Sequence, residues 1–237
     1  MNNDPIESLI RSNSKRISKT QILCVGDLIL DQYIYGNVER MSPEAPVPIL
    51  SINEEHFQLG GVGNVARNIS SLGGKATIVG LTGKDDSSKY IEKLIKSEKN
   101  LRGDFVIDEN HSTPLKMRFL NNFTQLLRAD KEEIRPKSKL SHIKKIKEKI
   151  KKEIKRCDAI IISDYNKGFV TKELIKELVK LAKKYKKIIL ADPKSKDFQI
   201  YKGVDFLTPN QQELSEATSN FIDSEKEAVE SGKKIIE

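Results

Sequence analysis

Short apolar runs alternate with amphipathic segments along most of the chain. Five of these runs predict buried strands, and they occupy residues 22–25, 76–81, 158–163, 188–191 and 204–207. Between them, apolar residues recur at steps of three and four, as over 171–185, which predicts helices with one buried face. Buried strands that alternate with amphipathic helices predict an α/β fold, with a parallel-rich central sheet and helices on both faces.

The same periodicity predicts further helices and their ends. Thr171 is the predicted N-cap of the helix over 171–185. Shorter helices are predicted over 64–72, 88–97 and 211–217, and Ser224 with Glu227 forms the capping box of a last one. In the first of these helices the expected buried stripe is Val65, Ile69 and Leu72.

Two stretches of the chain have a different pattern of apolar residues. From Tyr33 to Leu59, short apolar pairs are separated by Pro43, Pro46 and Pro48. Because proline cannot donate to the interior of a strand ladder, this pattern predicts short edge strands of a small separate sheet. The segments 105–107 and 116–127 also have the pattern of short strands.

The domain organisation predicted from these patterns is simple. Residues 1–20 are polar and largely aperiodic, which predicts a loose arm or a short N-terminal helix. Residues 21–237 are expected to form one domain. Its separate sheet would take strands from about 33–59 and from about 103–128.

Positive charge exceeds negative charge, with 42 Lys and Arg against 34 Asp and Glu and a formal net charge of +8. Much of the excess falls in 137–156, where isoleucines recur at helical spacing between the lysines. No aromatic residue is interleaved there, which disfavours binding to single-stranded nucleic acid. We interpret this segment as an amphipathic helix with a solvated lysine face, and we expect no nucleic-acid partner.

Hydropathy and cysteine content narrow the cellular setting. No run of about 18 apolar residues occurs, so neither a membrane span nor a membrane partner is predicted. The two cysteines, Cys24 and Cys157, are too few for a disulfide framework or a cysteine-based zinc site. Both lie in apolar surroundings and are interpreted as reduced core thiols, which favours a cytoplasmic protein.

Glycine and polar residues follow the predicted strands. They form five short groups, Gly26-Asp27, Gly80, Ser163–Tyr165, Asp192–Lys194 and Thr208–Asn210. Ligands of open parallel sheets bind beyond the carboxyl ends of the strands. These groups are therefore the first candidates for a functional site.

A glycine-rich segment precedes the helix at 64–72. Residues 61–66 match the dinucleotide fingerprint G-x-G-x-x-A, but the buried strand that the fingerprint requires does not precede it. In the longer string GGVGNVARNISSLGG, Asn64 and Asn68 lie four residues apart and so project from one helix face. Their amides would suit sugar hydroxyls; the alternative is a helix cap with a solvated Asn68.

Seven segments resemble the ribokinase-type carbohydrate kinase family, and in particular its heptose 7-phosphate kinase branch. They are VGDLILDQYIYG, ERMSPEAPVP, GGVGNVARNISSLGG, VGLTGKDD, SDYNKG, ADPKSKDF and LTPNQQE. The glycine–asparagine segment is specific to the wider family, whereas SPEAPVP followed by SDYNKG and DPK is specific to the branch. The resemblance implies a ribokinase-like fold, in which the separate sheet would be a β lid over the sugar.

The resemblance also implies an activity. A member of this branch would transfer a phosphoryl group from ATP to O1 of D-glycero-β-D-manno-heptose 7-phosphate. The product, heptose 1,7-bisphosphate, would serve ADP-heptose and lipopolysaccharide core biosynthesis. ATP and Mg²⁺ are the implied cofactors, and a homodimer formed through the β lid is the implied assembly.

Roles on the sugar side come from matching positions in the family. Asp27 resembles the acid that accepts bonds from sugar hydroxyls, and Gly60 with Gly61 resembles the hinge between the core and the lid. Asn64 and Asn68 resemble sugar contacts. The distal phosphate of the sugar needs a cation, for which the candidates are Arg40, Lys116, Arg118, Arg128 and Lys167. Of these, Arg118 or Arg128 could grip a phosphate through two bonds.

Roles on the nucleotide side also come from the resemblance. The implied nucleotide-binding residues are Asp192, Lys194, Asn210, Gln211, Gln212 and Glu213. Asn210 and Glu213 resemble the pair that organises the magnesium-bound phosphates, through water. Lys194 would meet a nucleotide phosphate; the alternative is a surface lysine.

One family motif has no counterpart in these residues. The late G-A-G-D segment, which holds the general base of the family, does not occur, so we expect it beyond Glu237 in a longer chain and expect this chain alone to be inactive. No catalytic residue is therefore assigned. The alternatives are a kinase for another sugar or sugar phosphate and a catalytically inactive sugar-phosphate-binding protein.

Overall fold

The computed structural model describes residues 5–132 and 140–236. Its strands are β1 (Gln21–Gly26), β2 (Leu28–Met41), β3 (Pro48–Gly61), β4 (Lys75–Val79), β5 (Leu81–Thr82), β6 (Leu101–Gly103), β7 (Val106–Ile107), β8 (Leu115–Asn121), β9 (Thr124–Lys131), β10 (Ala159–Ser163), β11 (Ile188–Asp192) and β12 (Phe206–Leu207). Its helices are α1 (Pro5–Ile17), α2 (Val62–Ser71), α3 (Asp86–Ser97), α4 (Leu140–Glu153), α5 (Lys172–Tyr185), α6 (Gln211–Thr218) and α7 (Glu225–Ile236). A short 3-10 helix (Phe198–Tyr201) precedes β12.

The centre of the molecule is a six-stranded parallel sheet in the order β12-β11-β10-β1-β4-β6. Successive residues of a strand point to opposite faces, so Leu23 and Val25 of β1 join one apolar cluster and Cys24 joins the other. Helices α4 and α5 cover the first face, and α2 and α3 cover the second. The α/β architecture predicted from the sequence is confirmed.

Both cysteines are free and buried. Burial raises the pKa of Cys24 to about 12 and that of Cys157 to about 11. A thiol that stays protonated and buried is inert towards oxidation, which agrees with the interpretation of both residues as reduced core thiols.

A separate four-stranded sheet, in the order β3-β2-β8-β9, forms the lid. The prediction of short strands was wrong, because β2 and β3 are 14 residues each and pair along nearly their whole length. Pro43 and Pro46 lie in the connection between them, and Pro48 is the first residue of β3. A proline tolerates these positions because its missing N–H is not needed there.

The second part of the lid begins later than predicted. Strand β6 belongs to the central sheet, and β7 pairs with β5. The lid therefore takes its remaining strands from 115–131 and not from 103 onward. A two-residue apolar run such as Val106-Ile107 carries no local signal of which partner strand it will join.

Helix α2 packs through small residues. Its buried residues are Val62, Gly63 and Ala66, whereas Leu72 is 51% exposed just after the helix. The predicted stripe ending at Leu72 was thus partly wrong. The helix approaches β3 closely, since a Cβ built on Gly63 would lie 3.0 Å from the Leu59 Cβ.

Helix α4 forms most of the described part of the lysine-rich segment, and residues 137–139 of the predicted helix lie outside the described residues. Ile146, Ile150 and Ile154 are buried against the central sheet. Most of the lysines face outward. In the parts of the chain that the structure covers, no helix is long and apolar enough to cross a membrane.

The buried stripe of α4, and not its lysine face, is expected to stabilise the fold. Ile150→Ala should lower the free energy of unfolding by about 2 to 5 kcal/mol, because it removes fully buried methyl groups and leaves a cavity. The neighbouring Lys152→Gln should change it by less than about 0.5 kcal/mol. Urea unfolding followed by circular dichroism compares the two, and equal effects would contradict this assignment of faces.

Candidate active site

Four polar residues follow the carboxyl ends of neighbouring parallel strands. Asp27 follows β1, Asp164 follows β10, Asp192 ends β11, and Asn210 lies three residues beyond β12. Parallel strands present these ends at one edge of the sheet. The edge is therefore where the candidate site is built.

Asp27 joins three elements at this edge. Its N–H donates to the Ser163 carbonyl at 3.2 Å, and its carbonyl accepts from the Val62 N–H at 3.0 Å. Its carboxylate accepts from the N–H groups of Tyr165 at 2.8 Å, Lys167 at 3.2 Å and Phe169 at 3.2 Å. The side chain is only 3% exposed, so these bonds are made away from solvent.

The loop over 165–169 curls around the Asp27 carboxylate. Asn166 has φ 56° and Gly168 has φ 87°, and these left-handed positions turn the alternate N–H groups of the loop inward. Such a run of backbone N–H groups forms a concave anion site. In this protein the anion is the carboxylate of Asp27 itself.

The geometry gives Asp27 a different role from the predicted one. Both of its oxygens already accept backbone N–H bonds, so the carboxylate anchors the loop and is not presented to a sugar. Asp31, four residues further along β2, lies instead beside the lid. Its carboxylate contacts the Arg118 guanidinium at 2.6 Å and remains partly exposed. Asp31 is not among the residues predicted from the sequence, although it is the second acid of the GDLILD segment.

Gly60 and Gly61 are required by close approaches. A Cβ on Gly60 would lie 2.4 Å from the Asp31 Oδ2 atom, and one on Gly61 would lie 2.2 Å from the Asp27 carbonyl oxygen. Gly61 also has φ 57° and is the N-cap of α2. Asn64 and Asn68 are exposed on one face of the helix that begins there.

Most of the candidate phosphate-binding cations lie on one face of the lid. Tyr33 lies opposite Arg118, and Arg118 lies opposite Arg128, so the three side chains share a face. The Arg118 guanidinium lies 5.2 Å from the centre of the Tyr33 ring. Arg128 and Lys116 both pair with Asp130.

The two other cation candidates lie apart from this face. Lys167 pairs with Glu132 at 2.7 Å, which connects the loop over 165–169 to the end of β9. Arg40 is exposed near the outer end of β2, where it lies opposite Ile49. The structure therefore separates Arg118, Arg128 and Lys116 from the rest of the candidate set.

On the other side of the strand ends, Asn210 and Glu213 form a capping box at the start of α6. The Asn210 side chain accepts from the Glu213 N–H at 2.9 Å, and the Glu213 carboxylate accepts from the Asn210 N–H at 3.0 Å. The second oxygen of Glu213 contacts the Lys194 Nζ at 2.9 Å. This contact raises the pKa of Lys194, which therefore stays charged.

Gln211 and Gln212 point away from this group. The Gln211 amide donates to the Ile222 carbonyl, and the Gln212 amide donates to Glu216 one turn further along α6. Their position in the N-Q-Q-E string suggested nucleotide contacts. Because successive residues of a helix point in different directions, only Asn210 and Glu213 lie with Lys194.

Electrostatic coupling connects the two sides of the edge. Burial raises the pKa of Asp192, and the nearby negative charge of Glu213 raises it further. Burial also raises the pKa of Tyr165, and Asp192, Asp31 and Glu213 all add to that shift. Tyr165 therefore lies within reach of the charges on both the lid side and the α6 side.

The donors beside Lys194 fit a magnesium ion that arrives with phosphates. The described residues contain no group of three His, Cys, Asp or Glu side chains arranged to hold a metal. Mg²⁺ does not need such a group, because it keeps several waters and takes phosphate oxygens as ligands. The carboxylates of Asp192 and Glu213, which interact electrostatically, are oxygen donors of the kind it prefers.

This combination of a parallel sheet, a β lid and polar strand ends is that of a ribokinase-like carbohydrate kinase. The model of the pfkB family of carbohydrate kinases matches residues 19–237. The chain belongs to that family.

Relatives of similar sequence agree with this assignment. The bifunctional protein HldE of Rhodopseudomonas palustris (strain BisB18) is 39% identical over 222 residues, which are 93% of this chain and 45% of that protein. The protein of the same name from Caulobacter vibrioides is 36% identical and is matched over 91% of this chain and 44% of its own length. The chain thus spans less than half the length of these relatives.

Solved structures share the fold at low sequence identity. The tetrameric inhibited form of phosphofructokinase-2 from Escherichia coli superposes with a TM-score of 0.68 at 20% identity, over 92% of this chain and 69% of that one. A carbohydrate kinase from Agrobacterium tumefaciens superposes with a TM-score of 0.64 at 17% identity, over 91% and 67%.

Asp27→Ala is expected to destabilise the protein. It removes the acceptor of three backbone N–H groups, at about 1 kcal/mol or more each, so the free energy of unfolding should fall by about 3 kcal/mol. The matched control is Asp205→Ala, which removes an acceptor of one backbone N–H, that of Ile189. Urea unfolding measures both, and an Asp27→Ala variant as stable as the control would contradict the anchor role.

The anchor should also make stability depend on pH. Burial raises the pKa of Asp27 to about 6 from its ordinary 3.8; the Tyr165 N–H opposes the shift and the charge of Asp164 adds to it. The folded state therefore takes up a proton before the unfolded state does as the pH falls. The resulting stabilisation is complete below pH 3.8 and is lost as the pH rises through about 6.

Asp27→Asn, which cannot titrate, isolates this contribution. The free energy of unfolding of the wild type minus that of the variant should be greater at pH 5 than at pH 7, by about 1 kcal/mol. Urea titrations at the two pH values measure it. A difference that stays constant, or that grows as the pH rises, would show that Asp27 does not titrate in this way.

Proposed function

We propose that this chain provides the sugar and nucleotide sites of a kinase that phosphorylates D-glycero-β-D-manno-heptose 7-phosphate at O1 with ATP and Mg²⁺. The family assignment supports a carbohydrate kinase. The segments SPEAPVP, SDYNKG and DPK support the heptose phosphate branch. The product would enter ADP-heptose and lipopolysaccharide core biosynthesis, and the use of ATP supports a cytoplasmic location.

One observation carries the proposal. A partly exposed Asp31–Arg118 pair lies on the lid side of the strand ends, and a Lys194–Glu213 pair lies on the α6 side. Tyr165 interacts electrostatically with members of both pairs. An acid for hydroxyl groups and a cation for phosphates would thus lie on either side of Tyr165, as transfer between a sugar and a nucleotide requires.

Asp31 is the residue that we assign to the sugar hydroxyls. An ionised carboxylate accepts hydroxyl bonds that are stronger than those between neutral groups. Gly60 leaves the space beside it, and Asn64 with Asn68 offers amides from α2 that both donate and accept. Closure of the lid would then exclude water, which competes with the sugar as the acceptor.

The basic face of the lid would bind the distal phosphate of the sugar. Arg118 shares that face with Arg128, and a guanidinium binds phosphate oxygens through two parallel bonds. Both arginines now pair with carboxylates, Asp31 and Asp130. A phosphate dianion brought between them would offer each guanidinium a second partner of stronger charge.

Lys194 would hold the nucleotide phosphates, with Asn210 and Glu213 organising the magnesium through water. When bound, Mg²⁺ neutralises charge on the phosphates. In the transfer, the sugar O1 forms a bond to the γ-phosphorus, the bond between that phosphorus and the β–γ bridging oxygen breaks, and the hydroxyl proton passes to a base. We assign no base among the described residues.

The lid would also form the contact of a homodimer. Large apolar side chains are exposed on it, among them Met41, Ile52, Phe123 and Leu127. Contiguous apolar patches larger than a few hundred Å² are rare on monomeric proteins and mark interaction sites. A second copy of the same lid would cover them.

The alternatives are a kinase for another sugar or sugar phosphate and an inactive sugar-phosphate-binding protein. Calorimetry with heptose 7-phosphate, fructose 6-phosphate and unphosphorylated heptose tests the substrate. Tightest binding of fructose 6-phosphate would favour the first alternative. Phosphorus NMR of the protein with ATP, Mg²⁺ and heptose 7-phosphate tests the reaction, and an anomeric 1-phosphate signal above background would show the transfer.

Asp31→Asn should weaken the binding of heptose 7-phosphate about tenfold to a hundredfold. The loss of charge-assisted bonds is about 1.5 to 3 kcal/mol, which corresponds to that range. The matched control is Asp158→Asn, at the opposite edge of the sheet, where the carboxylate accepts from the Gln21 N–H. If Asp31→Asn binds the sugar phosphate as tightly as Asp158→Asn does, Asp31 is not the sugar acid.

A further inference from the structure

Tyr201 is a buried tyrosine whose hydroxyl lies under the loop that follows β11. The residue is 2% exposed and ends the short 3-10 helix before β12. Its hydroxyl donates to the Asp164 carboxylate. It also accepts from the N–H of Lys194 at 3.2 Å and from the N–H of Ser195 at 3.3 Å.

These contacts use the full hydrogen-bonding capacity of the hydroxyl. A phenol has one proton to donate and two lone pairs to accept with. The proton is directed to Asp164, whose other oxygen accepts from the Asn166 N–H at 2.7 Å. Burial and the bond to Asp164 raise the pKa of Tyr201, so the hydroxyl keeps this proton at any ordinary pH.

The two accepted bonds hold the backbone from which the Lys194 side chain extends. Lys194 itself is half-exposed, and its one described side-chain contact is the ion pair with Glu213. A half-exposed ion pair gives little net stabilisation and does not by itself fix a long side chain. The orientation of Lys194 therefore depends on the backbone bonds beneath it.

We infer that Tyr201 and Asp164 are positioning residues that aim Lys194 at the nucleotide phosphates. The inference rests on the proposed function, because it takes Lys194 as the phosphate-binding cation. It goes beyond that function by assigning a role to two buried groups that touch neither substrate. Asp164 adjoins the loop anchored by Asp27, so the pair also connects the sugar side of the edge with the nucleotide side.

The packing of Tyr201 can be separated from its hydrogen bonds. The ring belongs to the apolar cluster on the α5 face of the sheet and lies edge-on to Phe198, with the ring centres 6.2 Å apart. Tyr201→Phe keeps the ring and removes only the oxygen. The matched control is Tyr185→Phe, which makes the same change at the end of α5, away from the carboxyl ends of the strands.

An acyl-phosphate derivative of ATP tests the inference. In this probe the deprotonated fraction of a lysine amine near the bound phosphates forms a bond to the acyl carbon. The bond between that carbon and the terminal phosphate oxygen breaks, ATP leaves, and the amine releases its proton to solvent. Mass spectrometry of the full chain measures the acylation of Lys194, with exposed Lys196 as the internal reference. Calorimetry with heptose 7-phosphate and thermal unfolding are run on the same samples.

In the wild type and Tyr185→Phe, Lys194 should be acylated more than Lys196. In Tyr201→Phe, the ratio should fall about tenfold, while the affinity for heptose 7-phosphate stays unchanged. A ratio that equals the wild-type value would overturn the inference and leave the proposed function intact. An unlabelled Lys194 in the wild type would instead overturn its placement at the phosphates, and the inference with it.

Asp164→Ala provides a second test, so the inference does not depend on the Tyr201→Phe variant alone. It removes the partner that holds the Tyr201 proton, so it should also lower the acylation of Lys194. Because both residues act through one hydroxyl, the double variant should lose no more than Tyr201→Phe alone. Losses that multiply in the double variant would show that the two residues act separately and would contradict a shared positioning role.

Discussion

The Asp27 carboxylate and the three backbone N–H groups around it hold the functional edge together. The loop that they belong to follows β10. Its first residue in contact, Tyr165, is 138 residues from Asp27 along the chain. The backbone of Asp27 also connects β1 to the start of α2 and to the end of β10. A buried carboxylate is unfavourable unless it is fully hydrogen-bonded. These hydrogen bonds therefore hold the start of α2, the end of β10 and the loop over 165–169 in fixed positions relative to Asp27.

A second buried network of polar groups works in the same way on the α6 side of the strand ends. Tyr201 and Asp164 hold the loop that carries Lys194, and the capping box of α6 holds Glu213 opposite it. In both places the groups that would meet a ligand are carried on loops and helix ends, while buried polar groups position those loops. Because buried hydrogen bonds hold the backbone beneath them, the half-exposed Lys194 and the partly exposed Asp31 can keep defined side-chain orientations.

Patterns in the sequence predicted the helices and strands well and the pairing of the strands less well. The strands of the central sheet other than β6, and the helices that cover the sheet, were predicted, because burial on one or both faces produces a periodic pattern of apolar residues. The lid strands were predicted as too short, since β2 and β3 carry many exposed polar residues and connect through prolines. Strand β7 was placed with the lid, although it pairs with β5. Pairing depends on which edge is free, and no local pattern records that.

By itself the sequence determined the fold class, the family and the list of polar residues at the strand ends. Tertiary structure decided which polar residues near the strand ends remain accessible to a ligand. Asp27 and Asp31 lie four residues apart in one segment, yet the first is closed off by a distant loop and the second remains open beside Arg118. Gln211 and Gln212 lie between Asn210 and Glu213 but point elsewhere. Local patterns record how often a residue is buried, whereas accessibility to a ligand depends on contacts between segments far apart in the chain.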